Sequence, residues 1–273
     1  METHEAYDNY RIAVPVEFEE VFSHFYFARN NSGKVITQTL LPSYQTMMVF
    51  SFGSAVILKT QQHDEIAIEK CFVAGPIKQA LDYTLLPEAE ILVATFKDDA
   101  FFRFFGTAAI TQNTAVHPDS LLKENCFTVL WSQLLKISNC ENRINYILDF
   151  CKPYLRHRNQ LADQIAGFEN ASLSPIKQIS EKNNLSERIV QLNHKKHFGY
   201  SSKEITRYQR FLKAIRQIQS IAASNNSKID WFEVIEECGY YDQSQLIHDF
   251  KHYLNLSPSK YLKFQQCICN PRP

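Results

Sequence analysis

The segment GYYDQSQLIHDFKHYLNLSPSKY (239–261) places a row of polar side chains on one side of a predicted helix. Asp242 is a typical N-cap for this helix. Its apolar residues recur at helical spacing and predict an inner side, formed by Leu246, Ile247, Phe250 and Leu254. The residues of its outer side are rich in hydrogen-bond donors: Ser244, Gln245, His248, Lys251 and His252. A merely solvated side more often pairs Glu with Lys, whereas Asp249 is the one carboxylate beside this side.

A second donor-rich helix is predicted at 186–197, with Ser186 as its cap. Arg188, Gln191 and Lys195 lie at i, i+3 and i+7, within about 60° of one another on its exposed side. Arg and Gln have forked polar groups that match guanine and adenine edges. Asn193 and His197 fall on the interior side, and we expect this conflict to cost stability and to weaken base reading.

Both helices belong to a near-repeat in the chain. Residues 176–204 and 232–261 each contain a short amphipathic helix, a tight turn and a longer helix, which is the helix-turn-helix plan. Residues 203–223 predict a connecting helix about 30 Å long, close to the roughly 34 Å between successive major-groove faces. Its cations suit phosphates, although surface solvation explains them equally well: Arg207, Arg210, Lys213 and Arg216.

Charge divides the chain into two unlike halves. Residues 1–155 hold 12 Lys and Arg against 18 Asp and Glu, a net −6. Residues 156–273 hold 17 against 11, a net +6, so the two halves cancel to zero. Only the basic half therefore suits a polyanionic partner.

Other features of the composition indicate a cytoplasmic protein without membrane contact. No apolar run approaches the length of a membrane span, and METHEAYDNYR has none of the regions of a secretory signal. The seven cysteines form no regular framework, which is typical of reduced thiols.

The N-terminal part reads as β structure up to about residue 106. Five short apolar runs predict strands of a sandwich or small barrel, at 21–28, 46–52, 54–60, 71–75 and 90–96. Helices are predicted over 119–166, where an apolar stripe at 122–137 is either a dimer surface or the domain's own core. The polar segment GFENASLSP (167–175) is the expected boundary between the domains.

Residues 176–265 resemble the DNA-binding domain of the AraC/XylS family of bacterial transcription regulators, above all in GYYDQSQLIHDFKHYLNLSPSKY. The N-terminal part is similar to the sensory half of one AraC-type subgroup, in LLPSYQTMMVFSFG (40–53), FVAGPIKQ (72–79) and ILVATFKDDAFFRFFG (91–106). The resemblance implies an α+β protein with a cupin-like effector-binding or dimerisation domain (1–166). It also implies a DNA-binding domain (173–268) with two helix-turn-helix units.

The resemblance also implies which residues contact DNA. In the second unit they are Gln243, Ser244, Gln245, His248 and Lys251, the last on the phosphate backbone. His252 lies on the same outer side, and we expect it to contact the backbone as well. In the first unit they are Glu187, Arg188, Gln191 and Lys195. His194 and Leu192 depart from the family, which usually has Phe and Arg there. The implied partners are double-stranded operator DNA, a small-molecule effector, a second copy of the chain and, for an activator, RNA polymerase.

Three alternatives compete with this interpretation. The helical half could be a plain bundle whose polar sides are only solvated. A cupin-like enzyme, an isomerase or dioxygenase, would need several His and a carboxylate together, but His24, His63 and His117 stand in unrelated segments. A DNA-repair alkyltransferase would need an activated Cys, and neither Cys71 nor Cys126 has that setting. We therefore expect no catalytic residues, no metal and no cofactor.

Overall fold

The computed structural model describes residues 7–60, 65–108, 110, 115–168, 175–223 and 229–264 of the 273-residue chain. Within them the strands are β1 (Tyr7–Ile12), β2 (Phe22–Asn30), β3 (Ile36–Leu40), β4 (Met47–Gly53), β5 (Val56–Lys59), β6 (Glu65–Ile68), β7 (Cys71–Ala74), β8 (Leu81–Leu85) and β9 (Ala89–Phe96). The helices are α1 (Ala100–Phe105), α2 (Pro118–Leu122), α3 (Cys126–Leu134), α4 (Cys140–Cys151), α5 (Gln160–Ala166), α6 (Pro175–Asn183), α7 (Glu187–Phe198), α8 (Ser202–Ala223), α9 (Trp231–Cys238), α10 (Gln243–Leu254) and α11 (Pro258–Phe264).

The strands form two antiparallel sheets that pack face to face. One sheet has the order β1-β2-β9-β4-β7 and the other β3-β8-β5-β6. The side chains between them come from both sheets and include Tyr26, Val49, Phe72, Val93, Val56, Tyr83 and Leu85. Every residue of β9 is buried, because the second sheet covers one of its faces and helices cover the other.

The five predicted strands are confirmed as β2, β4, β5, β7 and β9. The sequence interpretation missed β1, β3, β6 and β8. Three of these, β1, β3 and β6, lie at sheet edges and are only partly buried, so no continuous apolar run marks them.

Helices α1 to α4 cover the outer face of the five-stranded sheet. The apolar stripe predicted at 122–137 is divided between α2 and α3, because Lys123 ends α2 in the left-handed region with a φ of 58°. Leu130 and Leu134 of that stripe are buried in the core shared with the sheet, whereas Val129 is exposed. Most of the stripe therefore packs within its own domain.

The C-terminal helices form two connected units, as predicted. Helices α6 and α7 make the first helix-turn-helix unit and α9 and α10 make the second. The 22-residue helix α8 joins them. Both predicted caps are confirmed: Ser186 Oγ accepts from Ile189 N at 3.4 Å, and Asp242 Oδ1 accepts from Gln245 N at 2.8 Å.

The fold class is α+β, with a sheet-rich N-terminal part and a helical C-terminal part, as the sequence predicts. The exact division into domains stays a proposal. Residues 169–174 of the expected boundary lie outside the described residues. Ala162 and Ile165 of α5 pack against α6 and α7, so α5 belongs by its packing with the first helix-turn-helix unit. None of the helices that the structure describes is long and apolar enough to cross a membrane.

The sheet-rich part packs directly on α8 and α10. The ring of Tyr44 lies 4.7 Å from that of Tyr208, between ring centroids. Lys78 Nζ lies 2.7 Å from Glu204 Oε1. Gly199, in the left-handed region with a φ of 79°, is required at this contact, because a Cβ there would lie 2.5 Å from the carbonyl oxygen of Ala108.

Candidate nucleic-acid interface

The outer side of α10 is accessible over most of its length. Gln243, Ser244, His248 and Lys251 are exposed, and Gln245 and His252 are half-buried. The inner side is apolar and buried through Leu246, Phe250, Tyr253 and Leu254. This inner side packs on Phe211 of α8. The ring centroid of Phe211 lies 5.1 Å from that of Phe250 and 4.5 Å from that of Tyr253. The helix is therefore firmly seated while its polar residues remain available.

His248 has a partner on the connecting helix. Arg207 Nη2 lies 2.9 Å from His248 Nδ1. Because a guanidinium can only donate, Nδ1 is the acceptor and the proton of the neutral ring lies on Nε2. His248 is exposed, so Nε2 can donate to an acceptor such as the N7 of a purine.

Asp249 explains why the outer side lacks negative charge. It is the one carboxylate in the twelve residues of α10, all of them described, and it is only 1% exposed. Arg207 Nε donates to its Oδ1 at 2.7 Å, and Arg210 Nη2 donates to its Oδ2 at 3.0 Å. These arginines, which we interpreted as phosphate contacts or solvated cations, therefore pair with a buried carboxylate and join α8 to α10.

Gln245 has a structural role beside its predicted one. Its Oε1 accepts from the backbone N–H of Tyr241 at 2.9 Å, while its own N–H donates to Asp242. This pattern is related to a capping box, which the D-x-x-Q spacing could have suggested, but the side chain of Gln245 bonds the N–H of the residue before the N-cap. The amide Nε2 remains as a donor for a base edge.

His252 lies at the contact with the sheet-rich part. Its backbone carbonyl accepts from Gln79 Nε2 at 3.1 Å, and its ring lies 4.8 Å from that of Tyr253. Burial lowers the pKa of His252, and the charge of Arg207 lowers it further. The predicted phosphate contact of His252 stays a prediction, and in this arrangement the residue is only half-accessible.

The first unit exposes its predicted residues on α7. Glu187, Arg188, Gln191 and Lys195 are all exposed. The buried side is formed by Val190, His194, His197 and Phe198. Apart from the half-buried Gln245 and His252, the predicted DNA-contacting residues of both recognition helices are exposed, and the DNA contacts themselves stay a prediction.

Two histidines occupy the buried side of α7. His194 Nδ1 lies 2.7 Å from the carbonyl oxygen of Tyr200, and burial lowers the pKa of its ring. His197 Nδ1 lies 3.9 Å from Asp99 Oδ2, and its ring lies 4.3 Å from that of Phe102. Burial also lowers the pKa of His197, against the opposite effect of Asp99. The prediction of an interior His197 is confirmed.

The prediction for Asn193 is wrong. Asn193 is only half-buried, and its Nδ2 donates to the carbonyl oxygen of Ile189 at 2.9 Å. This bond to the preceding turn satisfies the amide nitrogen, which removes the expected conflict at Asn193.

Among the described residues of the sheet-rich part, His24 and His117 belong to no shared metal-binding group. His24 Nδ1 lies 2.9 Å from Ser23 Oγ, and burial lowers the pKa of His24 to about 4. His117 Nε2 lies 3.3 Å from Cys71 Sγ, and burial raises the pKa of that thiol to about 12. His63 lies outside the described residues. No group of three or more His, Cys, Asp or Glu able to hold a metal ion occurs in the part of the chain that the structure describes.

Two capped helix-turn-helix units on one connecting helix define a double helix-turn-helix domain. Residues 221–263 match the family of bacterial regulatory helix-turn-helix proteins, AraC family. This C-terminal segment is therefore an AraC-type helix-turn-helix domain, which confirms for the second unit the resemblance seen in its sequence. The chain thus carries a DNA-binding domain of bacterial transcription regulators.

Comparisons over the whole chain return remote similarities. No curated protein matches. Among solved structures, ToxT from Vibrio cholerae is similar over 95% of this chain and 98% of its own, with 13% identity and a TM-score of 0.39. The structure of unsaturated fatty acid bound ToxT from Vibrio cholerae strain SCE256 is similar over 88% of this chain and 97% of its own, with 11% identity and a TM-score of 0.36. An rmlc-like cupin protein from Desulfovibrio desulfuricans covers 35% of this chain and 91% of its own, with 10% identity and a TM-score of 0.27.

Proposed function

We propose that this protein is a sequence-specific regulator of transcription that inserts α7 and α10 into adjacent major grooves of duplex DNA. The observation that supports this most directly is the connection of two recognition helices by the 22-residue α8. A helix of that length spans about 33 Å, which matches the spacing of successive major-groove faces. The positive charge of residues 156–273 favours the same partner.

The two recognition helices divide the contacts between them. In α10, Ser244, Gln245 and His248 meet base edges, with Gln243 beside them, while Lys251 and His252 contact phosphates. In α7, Arg188 and Lys195 contact phosphates, and Glu187 and Gln191 lie beside them. This division is supported by the accessible donors on α10 and by the burial of its one carboxylate.

The sheet-rich part receives a small effector, we propose, at a cavity of about 510 Å³ between the two parts of the chain. Its lining comes from both parts and includes Tyr44, Ile66, Pro76, Ala115, Arg207 and Tyr253. The volume falls in the range of small-molecule sites. A ligand there would touch α8 and α10 and so alter how the second recognition helix is held. Dimerisation and contact with RNA polymerase belong to the same proposal.

We propose no catalytic activity, and no observation favours the cupin-like enzyme alternative. Burial raises the pKa of the Cys71 thiol to about 12, which disfavours the thiolate that a nucleophilic cysteine requires. Elemental analysis of the purified protein that returned about one transition metal per chain would revive the enzyme alternative.

Fluorescence anisotropy with the full chain and a labelled duplex tests DNA binding. We expect the logarithm of affinity to fall linearly with the logarithm of salt concentration, with a slope of about −0.9 per phosphate contacted. Selection from random duplexes should return one preferred site. Absence of binding at low salt would contradict the proposal, and equal affinity for selected and random duplexes would restrict it to non-specific binding.

A further inference from the structure

The outer side of α7 carries an apolar patch formed by Ile189 and Leu192. Leu192 is 60% exposed and Ile189 is 44% exposed. At about 100° per residue, Leu192 lies almost opposite the middle of the buried side, which centres on Val190, His194 and His197. Packing within the described chain therefore does not account for either side chain.

Cations surround this patch. The nearest helix-surface neighbours of Leu192 lie three and four positions away and are, beside Ile189, Arg188, Lys195 and Lys196. Arg188 and Lys195 are exposed and have no side-chain hydrogen bond or ion pair with any described residue. Lys196 Nζ lies 5.8 Å from the ring centroid of Phe102 and so faces the sheet-rich part. A partner of this side must therefore combine an apolar contact with flanking negative charge.

The major groove of duplex DNA offers that combination. The 5-methyl group of thymine is the apolar group at a base edge, and phosphates line the groove on both sides. Resting on the function proposed above, we infer that Leu192 and Ile189 read thymine methyl groups while Arg188 and Lys195 hold the adjacent phosphates. The first unit then selects thymine at one or two positions by apolar contact, without any forked hydrogen bond.

A second copy of the chain is the competing occupant of this patch. A protein surface would cover Leu192 with apolar side chains, but it would have to neutralise Arg188 and Lys195 as well. The phosphate backbone supplies that charge at every sequence, which favours DNA.

The test uses the full chain and the preferred duplex obtained by selection. Each thymine is replaced in turn by uracil, which removes only the 5-methyl group, and affinity is measured by competition at one salt concentration. For the wild type, we expect a loss of roughly fourfold for each methyl group contacted, the factor given by burying one methyl-sized group. Leu192→Ala should bring the thymine-to-uracil ratio close to 1 at the affected position, and Ile189→Ala should reduce it in part.

Leu135→Ala is the matched control, because Leu135 is an exposed leucine outside both helix-turn-helix units. It should keep the full methyl dependence of the wild type. The inference is overturned if uracil has no effect at any position, or if Leu192→Ala keeps the wild-type ratio. A change of oligomeric mass in Leu192→Ala with unchanged methyl dependence overturns it in favour of a second copy. Failure of the wild type to bind any duplex at low salt removes the proposed function itself.

Discussion

The backbone N–H of Ala80, in the sheet-rich part, donates to the carbonyl oxygen of Tyr253 in the last turn of α10 at 2.8 Å. Gln79 Nε2 donates to the preceding carbonyl, that of His252, at 3.1 Å. The last carbonyls of a helix have no partner within it, so an outside donor must satisfy them. One part of the chain therefore caps the recognition helix of the other, and the position of α10 depends on their contact.

Tyr208→Phe should weaken this contact. The hydroxyl of Tyr208, which is buried on α8, donates to the carbonyl oxygen of Pro42 in the sheet-rich part. The substitution keeps the ring beside Tyr44 but leaves that carbonyl without its donor, so we expect a loss of about 1–3 kcal/mol in the free energy of unfolding. Urea denaturation measures it. Tyr241→Phe is the control, because Tyr241 is 91% exposed and should change stability by less than about 0.5 kcal/mol.

Asp249→Asn should destabilise the second helix-turn-helix unit. The neutral amide weakens two charge-assisted bonds from Arg207 and Arg210 in a buried position, at an expected cost of about 1–3 kcal/mol. Asp149→Asn is the matched control, because the pair of Asp149 with Lys152 is exposed and water screens its charges. Equal losses in the two variants, measured by equilibrium denaturation, would contradict the structural role of Asp249.

Stability should fall in mild acid through His194. Burial lowers the pKa of His194 in the folded chain below its unfolded value of about 6.5. Between the folded and the unfolded pKa, the unfolded chain binds more protons than the folded chain. The stability contributed by His194 is therefore complete above about pH 6.5 and is lost as pH falls toward the folded pKa. His194→Phe removes this titration and should make the fall of thermal stability between pH 7.5 and 5.5 less steep, while His24, His197 and His252 keep their own contributions. Parallel curves for wild type and variant would show that His194 does not carry the effect.

The helical half was more predictable from the sequence than the sheet-rich half. Capping residues and apolar spacing are local signals, so they located α7, α8 and α10 correctly. Edge strands such as β3 have no such signal, because their partners come from distant parts of the chain.

Side-chain partners in the candidate site were the least predictable feature. The sequence places Asp249 beside the outer side. In the structure it is buried and accepts hydrogen bonds from two arginines about 40 positions earlier in the chain. The bond from Gln79 to His252 joins two segments that no periodicity relates. Exposure of Lys195 followed from helical geometry alone, whereas such pairings depend on tertiary packing.

The two recognition helices should differ in what they contribute, and substitutions can separate the contributions. The loss of a base contact costs about 1–3 kcal/mol of binding free energy and relaxes the choice of DNA sequence. The loss of a phosphate contact weakens binding to all sequences alike. Gln245→Ala should therefore lower the ratio of specific to non-specific affinity. Lys195→Ala should leave that ratio unchanged while reducing the salt slope by about 0.9.

Because Gln245 Oε1 also accepts from the backbone N–H of Tyr241 at the start of α10, Gln245→Glu is needed as a control for Gln245→Ala. Glu keeps the capping acceptor and loses the amide donor, so both variants should lose specificity while only Gln245→Ala loses helix stability. Competition between the selected site and random duplex measures the ratio, and if Gln191→Ala collapses it while Gln245→Ala does not, the roles of α7 and α10 are reversed.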